Sequence, residues 1–169
     1  HISRLKSIVD FGKRTGRQIV FIGRSLNKYV NAAIKVGQCP FKKDIILVKY
    51  RKQVDAFLKK AEKDRGRYLI VCTGHQAEPG SILDRITKDE TPLNLREDDN
   101  LIFCSSVIPD PVNINARDRM DKRLKKKGVR IQNDVHVSGH GGREDMRDLM
   151  EILRPEHVIP AHGTLRQET

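Results

Sequence analysis

Two histidines near the end of the chain combine a residue type and a local sequence that could support catalysis. His140 stands within Val-Ser-Gly-His-Gly-Gly, and His162 within Ile-Pro-Ala-His-Gly. Imidazole titrates near neutral pH and is a common metal ligand, so either side chain could move a proton or hold an ion. Each follows a short apolar run and therefore lies where a strand ends, which is where open α/β sheets form their sites. We expect the two imidazoles to converge on one cleft.

The turn around His140 has the features of an anion site. Small residues surround it: Ser138, Gly139, Gly141 and Gly142. Glycines let backbone N–H groups approach an anion closely, and the helical pattern that starts near Glu144 adds a helix N-terminus, which favours negative charge. His140 could bind a phosphate oxygen or protonate a leaving alkoxide. From the spacing alone, a histidine in an ordinary strand-to-helix turn explains the pattern equally well.

Other candidate residues lie in turns that follow predicted strands. Arg24 and Ser25 follow the first strand, and His75 lies in a polar turn after Cys72. Each could contact a phosphate, and each is also explained as an ordinary exposed turn residue. His162 suits zinc, but zinc takes about three or four protein ligands and the sequence offers no convincing set, so a surface-loop histidine is the alternative.

The charge balance favours a polyanionic partner. Lysine and arginine number 33 against 22 acidic residues, a net charge of +11. Such an excess favours nucleic acid over a merely solvated surface. A predicted basic helix with cations between Arg117 and Lys127 would present its charges to water and attract phosphates, although a solvated helix face explains it about as well. Aromatic residues make up only 5% of the chain, so contacts to the nucleic-acid backbone should outweigh base stacking.

Cysteine usage and hydropathy indicate the compartment. The three cysteines form no Cys-x-x-Cys pair, and Cys72 and Cys104 lie in apolar runs. This pattern predicts reduced, buried thiols rather than disulfides or a zinc knuckle. No apolar run reaches the roughly 18 residues of a membrane span, so we expect a cytoplasmic protein without a membrane partner.

Short apolar runs alternate with helical patterns along the chain. Helices are predicted over residues 2–15, 26–36, 53–63, 81–86, 115–127 and 144–153. Strands are predicted over residues 18–22, 44–48, 67–72, 100–104, 129–131, 135–137 and 157–159. This alternation predicts an α/β fold with a mostly parallel, Rossmann-like sheet and helices on both faces. The turns after the strands would then share one edge of the sheet.

Several segments, in this order, resemble ribonuclease J of the metallo-β-lactamase/β-CASP nucleases. They are Ile22-Gly-Arg-Ser-Leu26, Thr73-Gly-His-Gln-Ala-Glu-Pro-Gly-Ser-Ile-Leu83, His136-Val-Ser-Gly-His140 and Ile159-Pro-Ala-His-Gly163. The resemblance covers essentially the whole chain and identifies it as a β-CASP region. It implies RNA hydrolysis with two zinc ions held in a metallo-β-lactamase domain, into which the β-CASP domain is inserted.

The resemblance also implies roles for individual residues. His140 matches a histidine that serves near the scissile phosphate, and His162 matches a zinc ligand. Ser138 and the backbone after His140 match a pocket for a nucleotide phosphate. Many bacterial members carry serine at position 142, so Gly142 can offer only its backbone there.

The family's His-x-His-x-Asp-His metal motif does not occur in the chain, and we expect it before His1 in a longer protein. The predicted domains are β-CASP over residues 1–145 and a returning metallo-β-lactamase segment over residues 146–169. The 169 residues alone should bind RNA weakly and cleave nothing.

The resemblance implies 5′-to-3′ exonuclease action, with endonuclease action and a homodimer also known in the family. An endonuclease of the messenger 3′-end processing type and a non-catalytic RNA-binding module are the alternatives. The turn over residues 73–83 argues for the ribonuclease J branch.

Overall fold

The computed structural model describes residues 2–133 and 143–158. By its internal contacts the chain divides into two compact units, residues 1–136 and 137–169. The described helices are α1 (Ile2–Arg14), α2 (Arg24–Lys35), α3 (Arg51–Lys63), α4 (Ile82–Thr87), α5 (Pro111–Lys126) and α6 (Arg143–Leu153). The described strands are β1 (Gln18–Ile22), β2 (Ile45–Val48), β3 (Tyr68–Val71), β4 (Asn100–Ile102) and β5 (Arg130–Gln132).

The first unit is built around β1, the middle strand of a parallel sheet with the order β2-β1-β3. Four consecutive apolar residues of β1, from Ile19 to Ile22, are each 2% exposed or less. Because side chains alternate between faces along a strand, Ile19 and Phe21 pack in one cluster with α1 and α2, while Val20 and Ile22 pack in another with α3 and α4. The sheet is therefore covered on both faces, as the unbroken apolar run predicts.

A second parallel sheet pairs β4 with β5, and α5 packs against it through Met120 and Leu124. The predicted α/β class with parallel strands and covering helices is confirmed. The single sheet is not: among the described residues, β4 forms its strand pairing with β5, so the strands fall into two sheets. The predicted strand over residues 135–137 lies outside the described residues. His157 and Val158 are not in a strand, and Ile159 lies outside the described residues.

Helix α5 begins at Pro111, four residues before the predicted start. The Asp110 side chain caps it by accepting hydrogen bonds from the backbone N–H groups of Val112 at 2.9 Å and Asn113 at 3.4 Å. Proline is well tolerated in the first turn, because that position has no intrahelical partner for an N–H group. Asp110 and Pro111, which precede the helix predicted over residues 115–127, are therefore its cap and its first residue.

The helical pattern over residues 144–153 predicts an inward-facing apolar side, but most apolar residues of α6 are exposed in the described part of the chain. Met146, Leu149 and Leu153 are exposed, Leu153 by 64%. Within the described ranges, the amphipathic pattern of α6 therefore does not correspond to a buried face.

The turn from β1 into α2 is fixed by Gly23 and Asn27. Gly23 has a φ of 110°, a backbone conformation that side-chain-bearing residues rarely adopt. Asn27 is 3% exposed, and its Nδ2 donates hydrogen bonds to the carbonyl oxygens of Gly23 at 2.9 Å and Val48 at 3.1 Å. One side chain thus ties α2 to the ends of both β1 and β2.

Replacing Asn27 tests this tie. Asn27→Ala removes two hydrogen bonds from a buried site and should lower the free energy of unfolding by about 1–3 kcal/mol. Asn27→Asp should cost more, because a buried carboxylate would face two carbonyl oxygens with no proton to donate. Urea unfolding measures both variants.

Asn31→Ala provides the matched control, since it lies on the same helix, is exposed, gains the same helix propensity and loses only a hydrogen bond within the helix, to the Asn27 carbonyl at 2.8 Å. Its effect should stay within about 0.5 kcal/mol. Equal effects at positions 27 and 31 would show that the buried hydrogen bonds contribute nothing.

Candidate functional site

The carboxyl ends of β1, β2 and β3 meet at one edge of the first sheet. Ile22 pairs with Val48, and Phe21 with Val71, so the three strands end side by side. The Gly23 backbone N–H donates to the Val48 carbonyl at 3.0 Å, and the turns that follow β1 and β3 also adjoin. Because β1 continues into α2 on one face and β3 into α4 on the other, this edge is a topological switch point, where α/β sheets place their ligands.

The turn over residues 73–80 is closely packed. A side chain at Gly74 would lie 2.6 Å from Ser81 Oγ and 2.8 Å from Leu83 Cβ, and Gly74 has a φ of 125°. The Leu83 backbone N–H donates to the Thr73 carbonyl at 3.3 Å, which closes the turn onto α4. Glycine is therefore required at position 74 for both space and conformation.

Gln76 joins this turn to the loop after β4. Its side chain is 8% exposed. Its Nε2 donates to the Ser106 carbonyl at 3.2 Å, and its Oε1 accepts from the Ile108 backbone N–H at 3.0 Å. Arg4 of α1 donates to Ser105 Oγ at 3.2 Å in the same loop. The turn after β3 and the loop after β4 therefore lie together, as the shared edge predicts.

Arg117 of α5 is the central polar residue behind this edge. It is only 6% exposed, and its guanidinium carbon lies 3.2 Å from the centre of the Phe103 ring. The guanidinium donates to the His75 carbonyl at 3.2 Å and to Asn133 Oδ1 and Asp121 Oδ1, each at 2.8 Å. It thus links the turn that carries His75 to the last described residue before the segment of Ser138 and His140.

The prediction that the cations of α5 face water is wrong for several of them. Arg117 is buried, Arg123 donates to Asp84 and Thr87, and Lys127, just after the helix, pairs with Asp89. These roles could not be predicted from the sequence, because a run of basic residues does not reveal which of them meet internal carboxylates. The spacing of Arg117 and Asp121, one helical turn apart, was the only signal.

Asp84 anchors the other end of the turn. It is 3% exposed, and its carboxylate accepts hydrogen bonds from Gly80 N at 3.0 Å, Lys88 Nζ at 2.8 Å and Arg123 Nη2 at 3.2 Å. Burial opposes ionisation, but the hydrogen bonds from Lys88 and Gly80 and the charges of Lys88 and Arg123 outweigh it. Together they lower the pKa of the Asp84 carboxyl.

The structure places part of the predicted site and leaves the rest a prediction. Arg24 and Ser25 are exposed at the start of α2, and His75 is half-buried in the turn after β3. Ser138, Gly139, His140, Gly141, Gly142 and His162 lie outside the described residues. The convergence of His140 and His162 therefore stays a prediction.

The thiols agree with the expected reduced state. Cys39 is buried, Cys72 and Cys104 are half-buried, and all are free. Burial raises the pKa of Cys72 to about 12, so this thiol stays protonated. Within the described ranges, no three His, Cys, Asp or Glu side chains lie close enough to hold a metal ion. Each helix in those ranges is too short or too polar to cross a membrane.

Comparison with known proteins decides the family. Residues 1–120 match the family model described as Ribonuclease J, beta-CASP domain. The chain belongs to the ribonuclease J family. Residues 126–167 of this ribonuclease J-family chain match a second model, described as Zn-dependent metallo-hydrolase RNA specificity domain. The resemblance found in the sequence is thereby confirmed, and the predicted boundary after residue 145 stays a prediction.

Relatives named Ribonuclease J match over the whole chain. The chain is 40% identical to the Pyrococcus abyssi protein over 169 residues, covering 100% of this chain and 37% of the relative. The Methanocaldococcus jannaschii protein is 39% identical over 164 residues, again 37% of that relative. Ribonuclease J 1 of Streptococcus pyogenes is 28% identical over 176 residues. The ribonuclease J-family chain thus spans 37% of the length of the first two relatives and 29% of the third.

Arg117→Lys tests the link behind the edge. Lysine cannot reproduce the planar fork of hydrogen bonds or the stacking on Phe103. We expect a loss of about 1–3 kcal/mol in unfolding free energy, and faster amide exchange over residues 73–80. Arg119→Lys, an exposed change on the same helix, should alter neither. Unchanged exchange in the Arg117 variant would show that the turn holds its place without it.

The low pKa of Asp84 predicts a pH-dependent stability. A lowered folded-state pKa stabilises the protein above the unfolded value of about 3.9, and this stability is lost as the pH falls through the folded-state value. Asp84→Asn should therefore destabilise by about 1–3 kcal/mol at pH 7, and the difference should shrink in acid. Urea unfolding at pH 7 and near pH 3 measures it.

Asp118→Asn, which changes an exposed carboxylate of α5, is the matched control and should have little effect at either pH. A deficit for Asp84→Asn that is the same at both pH values would contradict the electrostatic explanation.

Proposed function

We propose that the complete gene product carrying this chain is a metal-dependent ribonuclease that hydrolyses RNA phosphodiesters. The observation that carries the proposal is the match of residues 1–120 to the ribonuclease J β-CASP model, together with 40% identity to a Ribonuclease J over the whole chain. The 169 residues supply the RNA-facing domain of that enzyme and cleave nothing alone.

The architecture supports RNA as the partner. Turns after β1 and β3 and the loop after β4 meet at the switch-point edge, where Arg24, Ser25 and His75 lie. A net charge of +11 attracts a polyanion to the chain as a whole. The second family model is described as an RNA specificity domain, in agreement with this partner.

We assign the chemistry to the segments after Asn133. His140 binds the scissile phosphate and protonates the leaving oxygen, and Ser138 with the backbone of Gly139, Gly141 and Gly142 holds a nucleotide phosphate.

His162 is proposed as one zinc ligand. The second family model carries a zinc-dependent description, and neutral imidazole is a good ligand for zinc. The described part of the chain does not fit a zinc site by itself, because no three suitable side chains converge there. The remaining ligands of the two zinc ions must come from polypeptide outside the described residues.

We further propose 5′-to-3′ exonuclease action in the cytoplasm. The sequence of the turn over residues 73–83 favours the ribonuclease J branch over an endonuclease of the messenger 3′-end processing type. An RNA labelled at a 5′-monophosphate distinguishes them, because an exonuclease of this polarity releases a labelled mononucleotide and an endonuclease releases labelled oligonucleotides.

His140→Ala and His162→Ala in the complete gene product test the two assignments. His140→Ala should reduce the hydrolysis rate by about 10²–10⁴-fold, the usual contribution of a general acid, while leaving bound zinc unchanged. His162→Ala should reduce both activity and the zinc content measured by elemental analysis.

His157→Ala is the control, since the His157 side chain is 83% exposed and should affect neither quantity. Full activity in both test variants would contradict the assignment. A complete gene product that binds RNA but never cleaves it would instead support a non-catalytic RNA-binding module.

A further inference from the structure

Helix α2 lies in a long stretch of the chain without carboxylates. Between Asp10 and Asp44 there is no acidic residue, while the same stretch contains eight lysines and arginines. Asp44 itself is paired with Lys13 of α1 at 2.9 Å. The positive charge of α2 is therefore not balanced within its own segment.

The cations of α2 line one groove on its outer face. Arg24, Lys28, Asn31 and Lys35 follow one another at helical spacing, opposite the buried residues of the helix. Lys49, from the turn after β2, closes the groove from a second element. The α2 groove has a volume of about 470 Å³ and is lined by Arg24, Asn27, Lys28, Asn31, Ala32, Lys35 and Lys49.

Folding does not explain this arrangement. The first turn of α2 carries Arg24 and no acidic residue, although the positive end of the helix dipole disfavours a cation there. Elsewhere cations meet carboxylates one turn away, as Lys6 meets Asp10 on α1. Within residues 2–133 and 143–158, no ion pair involves Arg24, Lys28, Lys35 or Lys49.

An exposed aromatic ring borders the groove. Lys49 Nζ lies 5.0 Å from the centre of the Tyr50 ring, which is 58% exposed. A cation beside an exposed aromatic ring is a combination that binds single-stranded nucleic acids, where the ring stacks on a base and the cation meets the backbone. Bases within a duplex are not free to stack in this way.

We propose that the α2 groove binds the sugar–phosphate backbone of single-stranded RNA that extends beyond the candidate site. The groove starts at Arg24 on the switch-point edge and runs to Lys35, which is about 16 Å at the rise of an α-helix. This length accommodates several successive phosphates. The inference rests on the proposed function and adds to it a path for the part of the RNA that is not being cleaved.

A charge-neutralising variant of the complete gene product tests the groove. Lys28→Gln, Lys35→Gln and Lys49→Gln are combined, because all three side chains are exposed and their replacement should leave the fold intact. Binding of a fluorescent single-stranded RNA of about 16 nucleotides is measured with the metal chelated, over a range of salt concentrations. The negative slope of log affinity against log salt concentration should become shallower by about 2, and binding at 0.1 M salt should be about ten- to hundredfold weaker.

Lys59→Gln, Lys60→Gln and Lys63→Gln on α3 give the matched control. They remove the same charge from exposed lysines of a helix on the opposite face of the sheet. If this control weakens RNA binding as much as the groove variant does, the loss is due to net charge alone, and the proposal is overturned. Tyr50→Ala should weaken single-stranded RNA and leave duplex RNA unaffected; an equal loss for both would contradict the strand specificity.

Cleavage assays distinguish failure of the groove proposal from failure of the proposal that the complete gene product is a ribonuclease. With metal restored, a variant that carries only Lys28→Gln and Lys35→Gln, and keeps Lys49 at the switch-point edge, should cleave a dinucleotide at the parental rate, because that substrate does not reach Lys28 or Lys35. On the long RNA its KM should rise while kcat is retained. Parental KM on the long RNA overturns the groove but not the ribonuclease, whereas no cleavage by the parent protein overturns the ribonuclease itself.

Discussion

The guanidinium of Arg117 joins parts of the first unit that are far apart in sequence. It stacks on Phe103 after β4, holds the His75 carbonyl in the turn after β3, and meets Asn133 after β5. These segments belong to two sheets that share no strand pairing in the described residues. A guanidinium suits this task because it is planar and its N–H donors point in fixed directions. Once one hydrogen bond is made, the directions of the others are set. The edge on which the candidate residues lie depends on this contact.

The surplus of positive charge has two separate uses in the described part of the chain. One set of cations is internal: Arg117 and Arg123 neutralise Asp121 and Asp84 and secure the turn over residues 73–80. The other set, on α2, has no internal carboxylate to meet. Buried charge needs a partner within the protein, whereas exposed charge remains available to a ligand. Counting lysines and arginines cannot separate these sets, and only the fold does so.

The sequence predicted the elements better than their association. β1 occupies the residues predicted for it, because a short apolar run between two glycine-containing turns is typical of a buried strand. The start of α5 was predicted four residues too late, although Pro111 occupies the first turn of the helix, where proline is favoured. The division into two sheets could not be foreseen, since strand pairing depends on contacts between distant segments. His75 was correctly placed in a turn after a strand, whereas Arg24 and Ser25, predicted in a turn, are the first residues of α2. The burial of Arg117 against Phe103 left no periodic signal in the sequence.

The central position of β1 has a consequence for synthesis on the ribosome. Its two neighbours, β2 and β3, both follow it in the chain, so β1 has no partner until residues 45–48 have been made, and its second edge stays unpaired until residues 68–71 have been made. During that interval β1 exposes four consecutive apolar side chains and unpaired backbone hydrogen-bonding groups. Unpaired apolar strands of this kind promote aggregation between nascent chains. The basic, carboxylate-free segment that follows β1 keeps like chains apart by charge repulsion while the sheet is incomplete.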